Sequence, residues 1–226
     1  MTELAGVNIL VVGASGGLGA AISQELAERG VRLGLCGRDR DRLEATGVEA
    51  AAYVVANLRS SGVAERIAAE AEQQLGPLTG VVYAAGVVAF GTIDELDDDD
   101  VDELLLLNYL APARLTRAVL PRLDRGGFVA NLSAVVAEQP TSRMAAYSAS
   151  KAALTAFDQV ARMEARRRGI RVIDVRPPHT ETGLADRPIS GQAPKLPPGL
   201  DPVTVARRLV DALAADETDL PAAAFG

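Results

Sequence analysis

Cysteine and histidine are almost missing from this chain: one of each stands among 226 residues, and there is no tryptophan. A single cysteine, Cys36, excludes an internal disulfide and fits a reducing cytoplasm. It lies in an apolar run and reads as packing. The lone histidine, His179, belongs to no Cys/His cluster, so no metal site is expected. Long apolar runs are missing too. None nears the ~20 residues of a membrane span. No basic segment or cleavage site precedes the first apolar run, so no signal peptide is expected. Positive charge is in deficit, with 23 Lys and Arg against 30 Asp and Glu and a net charge of −7. That balance argues against a nucleic-acid partner. No internal repeat or low-complexity stretch breaks the chain. Hydrophobic residues, in contrast, reach 48%. This excludes disorder and gives residues 1–226 enough apolar mass for the core of one α/β domain.

The chain is organised around residues 8–19, NILVVGASGGLG. An apolar, β-branched run breaks into Gly13, Ser15, Gly16, Gly17 and Gly19, and Leu18, Ile22 and Leu26 then recur every four residues. The pattern is strand, glycine-rich turn, helix. Glycines let a backbone approach a ligand closely. The helix behind them aims unpaired N–H groups and its positive dipole end at an anion. The turn therefore reads as a phosphate cradle. Residues 13–17 also fit G-x-S-x-G, the nucleophile elbow of α/β-hydrolases. That elbow takes half of its oxyanion hole from an earlier strand and loop. Twelve residues before Gly13 leave no room for one, so the hydrolase reading is the weaker.

Strand and helix patterns alternate from there. Strands are expected over 31–36, 50–55, 80–84, 127–132 and 170–175. Val63, Ile67, Ala71 and Leu75 mark one helical face, residues 101–122 and 146–168 two long helices, and Val203, Ala206, Val210 and Leu213 a last one. This alternation predicts a single Rossmann-like, doubly wound parallel sheet of six or seven strands with helices on both faces. Ligands of such sheets bind beyond the carboxyl ends of the strands. The acidic run 97–100 reads as a solvated helix start. Residues 177–202, rich in Pro and Gly, form the one long irregular stretch, and its part at about 183–200 is expected to cover a substrate.

Chemistry concentrates after the strands. The second strand ends Leu35, Cys36, Gly37, Arg38, with no acid there to take ribose hydroxyls. The planar guanidinium of Arg38 suits a phosphate instead; its rival reading is one surface charge beside Arg40 and Arg42. Tyr147 and Lys151 are four apart near a helix start and so share one face. A phenol is too weak an acid to ionise at neutral pH. A nearby ammonium is expected to lower its pKa and give a working acid/base for a carbonyl oxygen.

The spacing Gly13-x3-Gly17-x-Gly19, a helix asparagine at Asn108 and Tyr147-x3-Lys151, in this order over nearly the whole chain, resemble the short-chain dehydrogenase/reductase family. The resemblance implies an NADP-dependent oxidoreductase, with NAD as the second choice, moving a hydride between nicotinamide and a carbonyl or secondary alcohol. It implies Tyr147 as acid/base, Lys151 as the group that lowers its pKa and binds the nicotinamide ribose, and Asn108 as holder of a relay water. It assigns cofactor contacts to Gly13, Ser15, Gly16, Gly17, Leu18, Gly19, Arg38, Asn57, Leu58, Ala85 and Gly86, and to Tyr147, Lys151, Pro177, Thr180 and Thr182.

Four positions depart from the family pattern. Asn57 stands where Asp commonly meets the adenine, Ala84 replaces the asparagine of an Asn-Ala-Gly signature, and Pro178 stands for a glycine. Ala134 holds the place of the active-site serine, thirteen residues before Tyr147. Ser133, one residue away, is expected to point to the opposite face unless the strand bulges or the loop shifts by one residue, so Ser133, Ser142 and a water all stay open as substitutes. Loss of that hydroxyl sets up the alternative: an NADP-binding sensor or scaffold with weak or no catalysis.

The expected partner is a small molecule, in the cytoplasm. The 183–200 loop offers Leu184, Ile189 and Leu196 but also Asp186, Arg187 and Lys195, so apolar and anionic substrates both stay open. Four leucines at 104–107 surround their helix, and Ala149, Ala153, Ala156 and Val160 make a small-residue stripe. Together they predict a homodimer. The chain is expected to lack a final strand, which favours a dimer over the family's frequent tetramer.

Overall fold

An unbroken apolar run suits a strand that is buried on both faces. β1 (Asn8–Val12) is such a strand. Its Ile9 and Val11 join one core, and Leu10 and Val12 the other, as side chains of period two require. The structure, a computed structural model, describes residues 3–226. It adds β2 (Arg32–Gly37), β3 (Ala52–Val55), β4 (Gly80–Tyr83), β5 (Phe128–Leu132), β6 (Arg171–Val175) and β7 (Asp219–Leu220). All pair in parallel, in the order β3-β2-β1-β4-β5-β6-β7.

Seven helices cover this sheet: α1 (Gly17–Glu28), α2 (Arg40–Glu44), α3 (Val63–Leu75), α4 (Asp98–Leu105), α5 (Ala111–Val119), α6 (Ala145–Ala165) and α7 (Pro202–Ala214). Ile22 and Leu26 of α1 pack with Val205 and Leu209 of α7 on one face. Ile67 of α3, Leu115 of α5 and Ala161 of α6 fill the other. The acidic run starts α4 as expected: Asp97 caps it by accepting from the Asp100 N–H at 2.9 Å.

Two expectations are corrected. The sheet has a final strand after all, β7, pairing Asp219 and Leu220 with Asp174 and Val175 of β6; two residues are too few to show a period. The helix expected over 101–122 is not continuous. A π turn, Leu106–Leu110, separates α4 from α5, and a 3₁₀ turn, Leu120–Arg122, ends the segment.

Strand order reverses between β1 and β4. A crevice therefore opens beyond their carboxyl ends, where Gly13 faces Ala85.

Candidate active site

The glycine loop is close-packed. A Cβ on Gly13, which has φ +84°, would stand 2.6 Å from the Ala85 nitrogen, and one on Gly19 would stand 2.1 Å from the Gly13 carbonyl oxygen. Only glycine fits either place. Gly16 sits at the N-cap of α1 without a side-chain cap, and the first turn carries no acid. The donors and dipole of that helix end are thus left to face an anion. Beyond β2, Asp39 turns back to cap α2, accepting from the Arg42 N–H at 3.2 Å. Arg40 is occupied by Glu44 at 2.7 Å and lies 4.3 Å from the centre of the Tyr53 ring. Arg38 and Arg42 line the cavity and have no ion pair among the described residues. A close-approach loop, an uncapped helix end and two available guanidiniums fit a dinucleotide with an extra phosphate.

Tyr147 and Lys151 stand on the first turns of α6, both buried. The Lys151 Nζ lies 6.0 Å from the Tyr147 ring centre and donates to the Leu132 carbonyl at 2.9 Å. Burial pushes the Tyr147 phenol up to about 12. Burial also pulls the Lys151 ammonium down to about 8, against the opposing pull of Asp174. The expected lowering of the tyrosine by its lysine is therefore not what the cleft itself produces. In a site this dry the cost of charging either group outweighs their mutual attraction.

Asn108 falls in the π turn, a kind of helix defect that often marks a functional site. Its Nδ2 donates to the Val87 carbonyl at 3.0 Å and to Ser150 Oγ at 3.1 Å, and its Oδ1 accepts from the Val87 N–H at 3.0 Å. Ser150 in turn donates to the Tyr147 carbonyl at 2.8 Å. The Asn108 side chain thus ties the segment after β4 to α6. A Cβ on Gly86 would stand 2.9 Å from Asn108 Oδ1 and 3.5 Å from Lys151 Nζ.

These groups open onto one cavity of about 760 Å³. It brings together Gly13, Ser15, Gly16, Gly17, Leu18, Arg38, Leu58, Ala85, Gly86, Tyr147, Lys151, Pro177, Thr180 and Thr182. Gly19 and Asn108 support it from behind. Asn57 is not in the lining; its Oδ1 accepts from the Arg59 N–H at 3.2 Å and shapes the turn after β3. Ser133 and Ala134 both line the cavity; Ser133 is buried and gives its hydroxyl to the Lys151 carbonyl on α6, and Ala134 presents a methyl group. Ser142 is exposed and outside the lining, whereas its neighbour Thr141 is inside. Sequence reasoning missed Thr141 because no period orders side chains in a loop. It passed over Arg42 as a surface charge, although Arg42 stands in α2, just beyond the strand end that carries Arg38, and lines the same cavity. Among the described residues, no group of three or more His, Cys, Asp and Glu is placed to hold a metal.

The family profile described as short chain dehydrogenase matches residues 7–192. The chain belongs to the short-chain dehydrogenase family. It is thereby an oxidoreductase, as the names of its relatives agree. It is 29% identical over 239 aligned positions to dehydrogenase/reductase SDR family member 7B of Danio rerio, covering 96% of this chain and 77% of that protein. It is 30% identical to 2,3-dihydro-2,3-dihydroxybenzoate dehydrogenase of Bacillus subtilis (strain 168), covering 77% and 70%. Among solved structures, a short-chain dehydrogenase of Burkholderia cenocepacia J2315 in complex with NADP superposes with a TM-score of 0.86 at 25% identity, over 100% of both chains. A short-chain dehydrogenase/reductase of Burkholderia phymatum in complex with NAD gives 0.87 at 21%, over 98% and 90%, and shares the fold. The sensor alternative finds no support in these names.

Proposed function

We propose that this short-chain dehydrogenase is an NADP-preferring reductase of carbonyl compounds, or in reverse an oxidant of secondary alcohols, with Tyr147 as acid/base. One observation carries the reading: Tyr147 and Lys151 stand together at the wall of the cavity that the glycine loop and Arg38 also line. The nicotinamide, when bound, supplies or accepts the hydride. Tyr147, kept un-ionised by burial, gives its proton to the carbonyl oxygen in reduction and takes it back in oxidation. Lys151, drawn down towards neutrality, holds the next proton beside it. Asn108 positions the helix that carries both. Gly13, Gly16, Gly17 and the α1 N-terminus hold the diphosphate, and Arg38 and Arg42 the extra phosphate. Thr180 and Thr182, on the loop after β6, hold the nicotinamide end.

We place this activity in the cytoplasm, where the buried thiol of Cys36, pushed up to about 12, stays reduced, and we assign a homodimer. The decisive measurement is NADPH oxidation over a carbonyl panel by wild type and Tyr147→Phe, with NADPH binding followed by fluorescence. Turnover lost with binding kept supports the reading. Turnover that survives in Tyr147→Phe removes Tyr147 from the chemistry, and wild type that binds NADPH but reduces nothing in the panel restores the sensor.

A further inference from the structure

The cavity has two unlike halves. The ends of β1, β2 and β3 supply the glycine loop and the arginines. The ends of β4, β5 and β6 supply the walls beyond Tyr147. There Phe90, Val136 and Met144 are 2%, 6% and 7% exposed, and they form one apolar cluster with Tyr147, packed against Leu184 and Ile189. The covering loop is fastened to this wall: the Ile189 N–H donates to the Val88 carbonyl at 2.9 Å and the Phe90 N–H to Ser190 at 3.0 Å. At Gly191, with φ +71°, a Cβ would stand 1.6 Å from the Phe90 carbonyl oxygen, so the two segments meet backbone to backbone.

Few charged groups face this half, and none stands among Phe90, Val136 and Met144. Asp186 and Lys195 lie outside the lining. Arg187 lines it, but its Nε donates to the Gly183 carbonyl at 2.9 Å and its Nη2 to Thr182 at 3.4 Å, binding its own loop. Lys151 donates to Leu132. At Ala134 a methyl replaces the hydroxyl that the family pattern provides.

We propose that the substrate is a neutral carbonyl compound with a bulky apolar body and no anionic group, seated against these walls with Tyr147 donating to its oxygen. The proposal rests on the reductase reading above and narrows it. Apolar surface gains by leaving water for such walls, whereas a carboxylate brought against Phe90, Val136 and Met144 is desolvated with no cation among them.

The test uses the full chain, saturating NADPH and two rings of one size: 4-tert-butylcyclohexanone, neutral, and 4-oxocyclohexanecarboxylate, anionic. A kcat/KM at least ~10-fold higher for the neutral ketone is expected. Leu196→Lys, on the half-exposed rim of the cavity, is expected to shrink that ratio by about tenfold, one cation being enough to reward the carboxylate. An equal or higher kcat/KM for the carboxylate overturns the proposal, as does a ratio unmoved by Leu196→Lys. Should neither ketone turn over, calorimetry with NADPH present decides. Tighter binding of the neutral ring upholds the substrate class while the reductase reading falls. Equal binding, tighter binding of the carboxylate, or binding of neither overturns the class itself.

Discussion

Ser133 donates its hydroxyl to the backbone carbonyl of Lys151 at 2.9 Å. The Lys151 ammonium reaches the other way, to the carbonyl of Leu132. The end of β5 and the first turns of α6 are thus laced together in both directions, with Thr155 donating to Ser133 Oγ at 3.0 Å. Ser133 therefore commits its hydroxyl to α6, although the residue also borders the cavity. Ser133→Ala is expected to lower stability by about 1 kcal/mol, the net worth of one buried hydrogen bond, with kcat changed only a few-fold. Denaturant titration and steady-state kinetics read both. A kcat loss of 10²-fold or more would instead give Ser133 the role of the missing donor.

Ala134 lines the cavity with a methyl group, at the position where the family pattern has its active-site serine. Removing one such donor from an active site typically costs on the order of 10²–10³ in rate. Ala134→Ser is expected to recover part of that, raising kcat by ten-fold or more on a responsive carbonyl. Unchanged or lower turnover shows that the site has another donor in place, and Thr141→Ala then tells whether Thr141 is that donor.

Arg38 is exposed, lines the cavity and has no ion pair among the described residues, while Asp39 beside it is engaged as the α2 cap. Arg38→Asp is expected to lower the preference for NADPH over NADH by about 10- to 100-fold, the worth of a charge-assisted contact to a phosphate. Binding titrations with both cofactors check it. A ratio that Arg38→Asp leaves in place would assign the phosphate to Arg42.

Asp158 is fully buried on α6 and accepts from Asn131 Nδ2 at 2.7 Å. Burial pushes it up to about 8. The Asn131 hydrogen bond opposes this, the charge of Asp174 adds to it, and Arg162 and Arg176 oppose it. The ordinary aspartate value is 3.8, so between that pH and about 8 the folded protein holds a proton that the unfolded chain has released. Stability is then lost as pH rises through this window, by at most ~1.4 kcal/mol per pH unit. Asp158→Asn is expected to remove that slope and to gain most over wild type near pH 8. Denaturant unfolding of the cofactor-free protein from pH 5 to 8 measures it, and parallel slopes for the two proteins refute it.

The parallel sheet was legible because its strands are buried on both faces: runs such as Ile9 to Val12 and Gly80 to Tyr83 need no alternation to be seen. β7 was not, since Asp219 and Leu220 are strand only through their pairing with β6. Gly13, Arg38, Tyr147 and Lys151 were legible as well, because position after a strand, or a four-residue spacing, fixes where they face. The π turn at Asn108 was hidden, since Leu104 to Leu107 read as ordinary helix and the Asn108 bonds to Val87 and Ser150 that accompany it are tertiary. The burial that raises the Tyr147 phenol in the open cleft was hidden for a related reason. Spacing shows that an ammonium is near but says nothing of how dry the pair is.

The last expectation concerns assembly. Of the four leucines at 104–107, Leu104 and Leu107 are buried, whereas Leu105 and Leu106 stay half-exposed, as does Leu110. On α6, Ala149 and Ala156 are exposed, and Val160 and Met163 are 50% and 66% exposed. Phe157 of α6 meets Tyr109 of the π turn edge to face, with centroids 6.4 Å apart, both half-buried. The two segments therefore meet and both leave apolar side chains in solvent, and contiguous exposed apolar surfaces mark interfaces. A two-fold pairing that sets this face against itself would bury it in an isologous contact. Light scattering at micromolar concentration is expected to give about twice the 23.5 kDa of one chain. Val160→Glu with Met163→Glu, both at exposed positions and harmless to the fold, is expected to return the mass to one chain. A wild-type mass of one chain refutes the interface. A mass of four chains adds a second one, and with β7 present the sheet edge is its nearest candidate.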